Sequence, residues 1–378
     1  MVRARMQERH AEQAKRRIEQ EAAARGIVAP STEETAAALR ARLAGRAKQN
    51  GWPRRKGDLH IFLAFQLFEW LEALPAAFEP FGEVTVFDLA SHGFDQGRAD
   101  WWERRPIVNR EMLAAFHEAN ARRPVDAVVG YLSGVNTDPA TLARIARAGT
   151  AIFNFSYDEK LDMGNPLPDG SIRSPAALAS VVDLNLTNDP AGALRYLLKG
   201  GLAHFHPEAA DPRVHRPYET PFRYDVTFVG QHYGFRPFFI ERLQSLGINV
   251  TAFGRNWPNG PLALEEMVEM YSLSRINLGF GGIGHSNRLM CLKGRDFEVP
   301  MSGGLFLTQH NPELELVFDV GREIMTYTGE ADCAVKIRTL LADEAKAAAI
   351  RKAGRERCLR DHTYEARWTK VFQMAGVL

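Results

Sequence analysis

Cysteine is scarce in this chain: Cys291, Cys333 and Cys358 are the three among 378 residues, and no C-x-x-C pair occurs. An odd, scattered set excludes a disulfide framework and a cysteine-based zinc site, and it points to a reducing compartment. No apolar run approaches the roughly 18 residues of a membrane span. The N-terminus has no apolar core, so the reading expects neither a signal peptide nor a spanning helix, and a cytoplasmic location. Charge of one sign is also missing. With 47 Lys and Arg against 46 Asp and Glu, the net of +1 excludes a polyanion binder by composition. Aromatic residues are absent from the first fifty positions, which weighs against base stacking or membrane insertion there.

What is present is uneven. Residues 1–56 hold 14 Lys and Arg against 6 Asp and Glu, a local net of +8 that leaves −7 for the rest. This stretch is rich in helix formers and broken at Pro30. Ser31-Thr32-Glu33-Glu34 reads as a capping box opening a second helix through about Lys48. Two readings follow: a pair of solvated helices, or a basic arm for an anionic partner or self-association.

From Leu59 the pattern becomes α/β. Apolar runs of strand length at 59–65, 83–88, 127–132, 151–155 and 181–186 alternate with helical segments, as in a doubly wound sheet. The alternation restarts at 225–230, 249–254, 275–280 and 305–308, with helices to the end. Pro207, Pro212, Pro217 and Pro221 crowd the junction and read as a linker. The expected organisation is a basic helical extension (1–56), a Rossmann-like domain (57–206), a linker (207–221), a second Rossmann-like domain (222–360) and a closing helix (361–378). Two such domains facing each other make a cleft at the carboxyl ends of their strands, where ligands bind.

The richest segment runs Lys293-Gly294-Arg295-Asp296-Phe297-Glu298-Val299-Pro300-Met301-Ser302-Gly303-Gly304. Lys293 and Arg295 offer positive charge for a diphosphate. Glu298 offers acceptors for ribose hydroxyls. Ser302, Gly303 and Gly304 allow close backbone approach. Upstream, Gly230 ends a strand and Arg236 opens a helix, a setting that favours phosphate. Gly254 and Asn256 turn the chain at the next strand end, with Trp257 read mainly as packing. Gly279–Arg288 is a glycine-rich loop offering His285, Asn287 and Arg288 as donors to a ligand. In the first domain, Asp158 follows a strand and is the leading candidate for a general base, ahead of His92. His204 and His206 flank a linker strand and have no matching ligands, so they read as structural and no metal site is expected.

The pattern Arg295-x-Phe297-Glu298 followed by Gly303-Gly304, with 225–230, Arg236, Gly254 and Asp361-His362-Thr363-Tyr364-Glu365-Ala366-Arg367, resembles CgeB-like glycosyltransferases of the GT-B superfamily. The resemblance covers about 59–372 and leaves out the basic extension. It implies a GT-B fold, a nucleotide-sugar donor held by the second domain, an acceptor of open identity at the first, and metal-independent transfer without a cofactor. Lys293, Arg295 and Arg236 then stabilise the leaving diphosphate, and Asp158, Lys293 and Arg295 are the expected catalytic set. Glu298 falls at the second glutamate of the E-x7-E signature of retaining members, but Met290 stands at the first. That departure leaves open retention or inversion, a catalytically degenerate nucleotide-sugar-binding protein, and a nucleotide-sugar epimerase of the same fold.

Overall fold

The computed structural model describes residues 2–67, 69–157, 159–160 and 172–378. The chain divides into two compact units, each treated separately below. The first comprises Gln13–Pro207 with Trp368–Leu378; the second comprises Glu208–Arg367 with the N-terminal segment through Glu12.

Two helices open the chain, α1 (Val2–Ala24) and α2 (Thr32–Asn50). The expected capping box forms: Ser31 Oγ accepts the Glu34 N–H at 3.1 Å and Glu34 Oε2 accepts the Ser31 N–H at 2.7 Å. Such a cap stabilises a helix start by about 1 kcal/mol. α2 is not a fully solvated helix. Leu39 and Leu43 are wholly buried. Arg46 donates to Asp183 Oδ2 at 2.5 Å and to the Thr150 carbonyl, and Arg42 donates to the Val182 carbonyl. Arg46 is thus paired with a buried carboxylate of the first unit while Arg42 stays exposed, so the positive count in sequence overstates the charge α2 offers to solvent by one.

The first unit continues through β1 (Leu59–Phe65), α3 (Leu74–Phe78), β2 (Gly82–Asp88), α4 (Trp101–Arg122), β3 (Ala127–Gly130), α5 (Pro139–Arg147), β4 (Ala151–Ser156), β5 (Leu184–Thr187), α6 (Ala193–Leu197) and β6 (Ala203–Phe205). Its six strands are all parallel, in the order β2-β1-β3-β4-β5-β6. Every residue of β1, β3, β4 and β5 is buried, as a sheet covered on both faces demands. The segment holding His204 is therefore the sixth strand of this sheet rather than a linker strand. Between β1 and β2 a 3₁₀ turn at 69–72 precedes α3, whose first turn holds Pro75.

The second unit contains β7 (Tyr224–Val229), α7 (Arg236–Ser245), β8 (Thr251–Phe253), α8 (Leu264–Leu273), β9 (Ser274–Leu278), α9 (Gly294–Met301), β10 (Phe306–Gln309), β11 (Met325–Tyr327), α10 (Glu330–Ala342) and α11 (Glu344–Asp361). Then α12 (Tyr364–Ala375) carries the chain back into the first unit. Its five strands are parallel, in the order β11-β10-β9-β7-β8. Val226, Phe228, Leu243, Ile276, Leu307 and Ile337 belong to one buried apolar cluster of this unit. β7 and β9 are neighbours in this sheet, so the loops leaving their carboxyl ends lie side by side.

Candidate functional site

The site grows from the end of β7. Gly230 donates its N–H to the Phe253 carbonyl at 2.8 Å and receives the Trp257 indole N–H on its own carbonyl, also at 2.8 Å. Gly254 lies so close that a Cβ there would stand 2.2 Å from the Gly230 oxygen, and its φ of +131° suits no side chain. Gly254 and Trp257 therefore build the Gly230 turn from behind. Trp257 packs edge-on to Phe228 and His232, as its packing role requires. Asn256, at φ +69°, is exposed in the same turn.

Two arginines converge on this turn. Arg236, the first residue of α7, is only 5% exposed. Its guanidinium carbon lies 4.3 Å from the Tyr233 ring centroid and 5.6 Å from that of Phe228, and Nη1 donates to the Gln231 carbonyl at 3.2 Å. All three contacts are neutral. Burial pushes the Arg236 pKa down to about 10, and the nearby Arg295 charge adds to that fall while Tyr233 opposes it. Arg295 reaches the turn from α9, its Nη2 3.3 Å from where a Gly230 Cβ would be. Burial works against its charge, but Tyr271, Glu298 and Glu208 beside it more than offset this and raise its pKa.

Two carboxylates crowd Gly294. A Cβ there would stand 2.6 Å from Glu208 Oε2 and 2.7 Å from Glu298 Oε1. Glu298 is buried in the middle of α9. Lys293 is half-buried at the N-cap, and its N–H is taken by Asp296 Oδ2 at 2.7 Å. Burial raises the Asp296 carboxyl to about 7 against the opposing pull of that hydrogen bond and of Lys293 and Arg295. Lys293, Arg295 and Glu298 thus share one helix start with two groups the sequence reading passed over, Glu208 and Asp296. A carboxylate three residues after a helix N-cap was the legible signal for Asp296. Glu208 carries no motif.

Ser302, Gly303 and Gly304 do something else. They stand at the far end of α9. The Ser302 hydroxyl donates to the Glu298 carbonyl at 2.8 Å. Gly303, at φ +75°, and Gly304 return N–H groups to the Pro300 and Val299 carbonyls, both at 2.9 Å. This is a helix stop with an αL glycine, and that stop by itself accounts for a serine and two glycines here.

The glycine-rich loop leaves β9 and returns to α9. Gly282 and Met290 form an isolated antiparallel bridge, and Ile283 donates to the Leu289 carbonyl at 3.0 Å. His285, Asn287 and Arg288 are exposed at its tip. The motif Asp361–Arg367 serves the linker. Ala210 donates to the His362 carbonyl at 3.0 Å, and Arg367 Nε donates to the Glu208 carbonyl at 3.0 Å. His362 stays neutral. Burial and then Arg367 lower its pKa to about 4, with Nε2 facing the Val317 carbonyl and Nδ1 facing Arg367 Nη2.

In the first unit, Asp158 lies outside the described residues. Its neighbour Glu159 is fully enclosed: Tyr196 Oη donates to Oε1, and Thr187 Oγ1 donates to Oε2 at 2.9 Å. Burial raises the Glu159 carboxyl to about 8. His92 stacks on Phe87 at 4.1 Å and meets Glu111 at 2.9 Å. His206 packs against Trp368 at 5.1 Å. Among the described residues no three His, Cys, Asp or Glu group to hold a metal ion, and no described helix is long and apolar enough to cross a membrane.

A family model described as glycosyl transferase-like matches residues 236–373, which spans Arg236, the glycine-rich loop and α9. No curated protein in the comparison matches the chain. Three solved structures show what its fold is similar to. HepE from Anabaena, solved with UDP and glucose, is 11% identical, with a TM-score of 0.54 over 85% of this chain and 100% of that one. Sucrose-phosphate synthase from Thermosynechococcus elongatus is 12% identical, with a TM-score of 0.57 over 84% and 98%. T4 phage BGT, solved with UDP-glucose, is 13% identical, with a TM-score of 0.52 over 85% and 100%. The chain has the two parallel-sheet α/β domains of the GT-B fold, with a helical N-terminal region.

Proposed function

We propose that this chain is a glycosyltransferase that binds a nucleotide-sugar donor in the unit containing Glu208–Arg367 and passes the sugar to a separately bound acceptor. The observation that carries this reading is the pair Arg236 and Arg295. The buried Arg236 meets only neutral partners and is repelled by the neighbouring Arg295, which is half-buried and already offset by Tyr271, Glu298 and Glu208. An anion relieves the cost of burying Arg236 and the repulsion between the two guanidinia, and a diphosphate meets two arginine forks in bidentate fashion. Glu298, beside Arg295, then accepts from ribose hydroxyls. Within the GT-B fold we assign the chain to the CgeB-like group, on Arg295-x-Phe297-Glu298 and the glycine pair that follows.

In the reaction the bond from the sugar's anomeric carbon to the diphosphate oxygen breaks, the oxygen of an acceptor hydroxyl bonds to that carbon, and the hydroxyl proton passes to a general base, the role expected for Asp158. The leaving nucleoside diphosphate gains negative charge. Positive groups already fixed in place stabilise that charge without reorganisation, and in many enzymes this electrostatic effect accounts for most of the rate enhancement. Lys293, Arg295 and Arg236 supply it in this reading, and transfer proceeds without a divalent cation.

UDP and UDP-glucose stand in the HepE and T4 phage BGT complexes, which makes UDP the first nucleotide to titrate here. Calorimetry should give UDP binding to the wild-type chain in EDTA. Arg295→Ala should weaken it by more than about tenfold, since hydrogen bonds to charged groups contribute ~1.5–3 kcal/mol. Glu298→Gln should weaken UDP more than inorganic pyrophosphate, because only UDP carries ribose. A wild-type chain that binds none of UDP, GDP, ADP, CMP or dTDP at millimolar concentration would sink the proposal. Binding without release of UDP from UDP-sugars across an acceptor panel would leave a binding protein in place of an enzyme.

A further inference from the structure

The N-terminal helix reaches the candidate site. Gln7 Oε1 accepts the His285 N–H at 2.8 Å, and Ser286 Oγ donates to Glu8 Oε1 at 2.6 Å. Ser286 is fully buried, and the same hydroxyl accepts the N–H groups of Arg288 and Leu289 at 2.9 and 2.8 Å. Gly284, at φ +60°, fits closely under α1, since a Cβ there would stand 2.8 Å from the Gln7 side chain. All of these residues belong to the second unit, α1 contributing only its segment through Glu12.

The loop that α1 grips is attached to both arginine-bearing segments. On one side it packs on the turn leading to Arg236: a Cβ at Gly282 would stand 2.7 Å from Phe235 Cε1, and one at Gly234 would stand 3.2 Å from the Gly284 carbonyl. On the other side it runs through Leu292 directly into Lys293 and the start of α9. Glycines at 279, 281, 282 and 284 make the loop costly to order. A ligand that meets it already ordered escapes that cost, which is how preorganisation raises affinity.

We propose that Gln7 and Glu8 are positioning residues of the donor site: the first two turns of α1 hold the 281–291 loop in the shape that receives the nucleotide. The proposal rests on the nucleotide-sugar reading above and extends it to a helix outside the matched 236–373 segment. Neither residue touches the arginines. They act through the loop.

The test uses the full chain in three forms: wild type, Gln7→Ala with Glu8→Ala, and Gln7→Glu with Glu8→Gln. The last pair keeps an acceptor oxygen at each position, so it should behave as wild type. In the alanine pair, hydrogen exchange at 283–289 should quicken while the melting temperature holds. Its UDP affinity should fall by about fivefold or more, the signature of lost preorganisation. Unchanged exchange in the alanine pair overturns the inference, and so does faster exchange with unchanged UDP affinity. Equal loss in the Gln7→Glu, Glu8→Gln pair also overturns it, since the acceptor oxygens would then not be what matters. A wild-type chain that binds no nucleoside diphosphate overturns the functional reading and this inference together, whereas intact binding in the alanine pair overturns the inference alone.

Discussion

Glu159 shows what a buried carboxyl does to pH dependence. Its pKa rises from 4.5 to about 8 because burial disfavours the charged form, although Tyr196 and Thr187 donate to it. The folded state therefore binds a proton that the unfolded chain releases near pH 4.5. The stabilisation is full below that value and is lost as pH rises through about 8. Between pH 6 and 9 the wild type should lose on the order of 2 kcal/mol from this group alone. Glu159→Gln keeps an acceptor for Tyr196 and removes the titration. Urea unfolding of both proteins at pH 6 and pH 9 measures it, and parallel losses in the two would refute the assignment. The sequence singled out the neighbouring Asp158, which lies outside the described residues, because a carboxylate after a strand end is a general signal for a base. It gave no sign that the adjacent glutamate would be enclosed by Tyr196, 37 positions later. Arg236, Arg295 and Glu298 were legible because residue type and flanking elements sufficed. Glu208 was not, since its nearness to Arg295 depends on how Arg367 and His362 fold the linker back.

Elements were legible where a long apolar run or helical period left one solution. β1 and β4 are continuous buried runs, and α10 and α11 keep their expected places. The three-residue strand β11 and the five-residue helix α6 escaped notice because segments so short carry no period. Ser302-Gly303-Gly304 is ambiguous for a different reason: a serine and two glycines suit a helix stop and a ligand-facing turn equally well. The structure separates two kinds of turn glycine in the second unit, and this yields a paired prediction. Gly254 and Gly260 both have positive φ, at +131° and +71°. A Cβ at Gly260 meets nothing within 4 Å, whereas one at Gly254 meets the Gly230 carbonyl at 2.2 Å. Gly260→Ala should cost about 1 kcal/mol, the ordinary left-handed penalty. Gly254→Ala should cost about 1–3 kcal/mol more from the clash with backbone, and it should displace Gly230 and weaken UDP. Denaturant midpoints that fall equally in the two variants would mean that the Gly230 turn yields to a side chain.

At the scale of the whole molecule, the two sheets have separate cores, and the residues assigned to the donor all lie in the second unit. A ligand stabilises the state it binds by mass action, by about 2.7 kcal/mol at a hundred times its Kd. With two units in one chain, two-state unfolding is not the default, so that stabilisation need not be shared. UDP at saturating concentration should slow hydrogen exchange at 230–236 and 281–298 and raise the opening free energy of β7, β9 and β10. It should leave β1, β3 and β4 close to their ligand-free values. The N-terminal segment sharpens the test, because α1 divides at Glu12. Amides before that point should gain protection with the glycine-rich loop they hold, while those of α2 should not. Equal protection across both sheets would mean that the units unfold as one. Protection confined to the first unit would place the nucleotide there and remove the role given to Arg236 and Arg295.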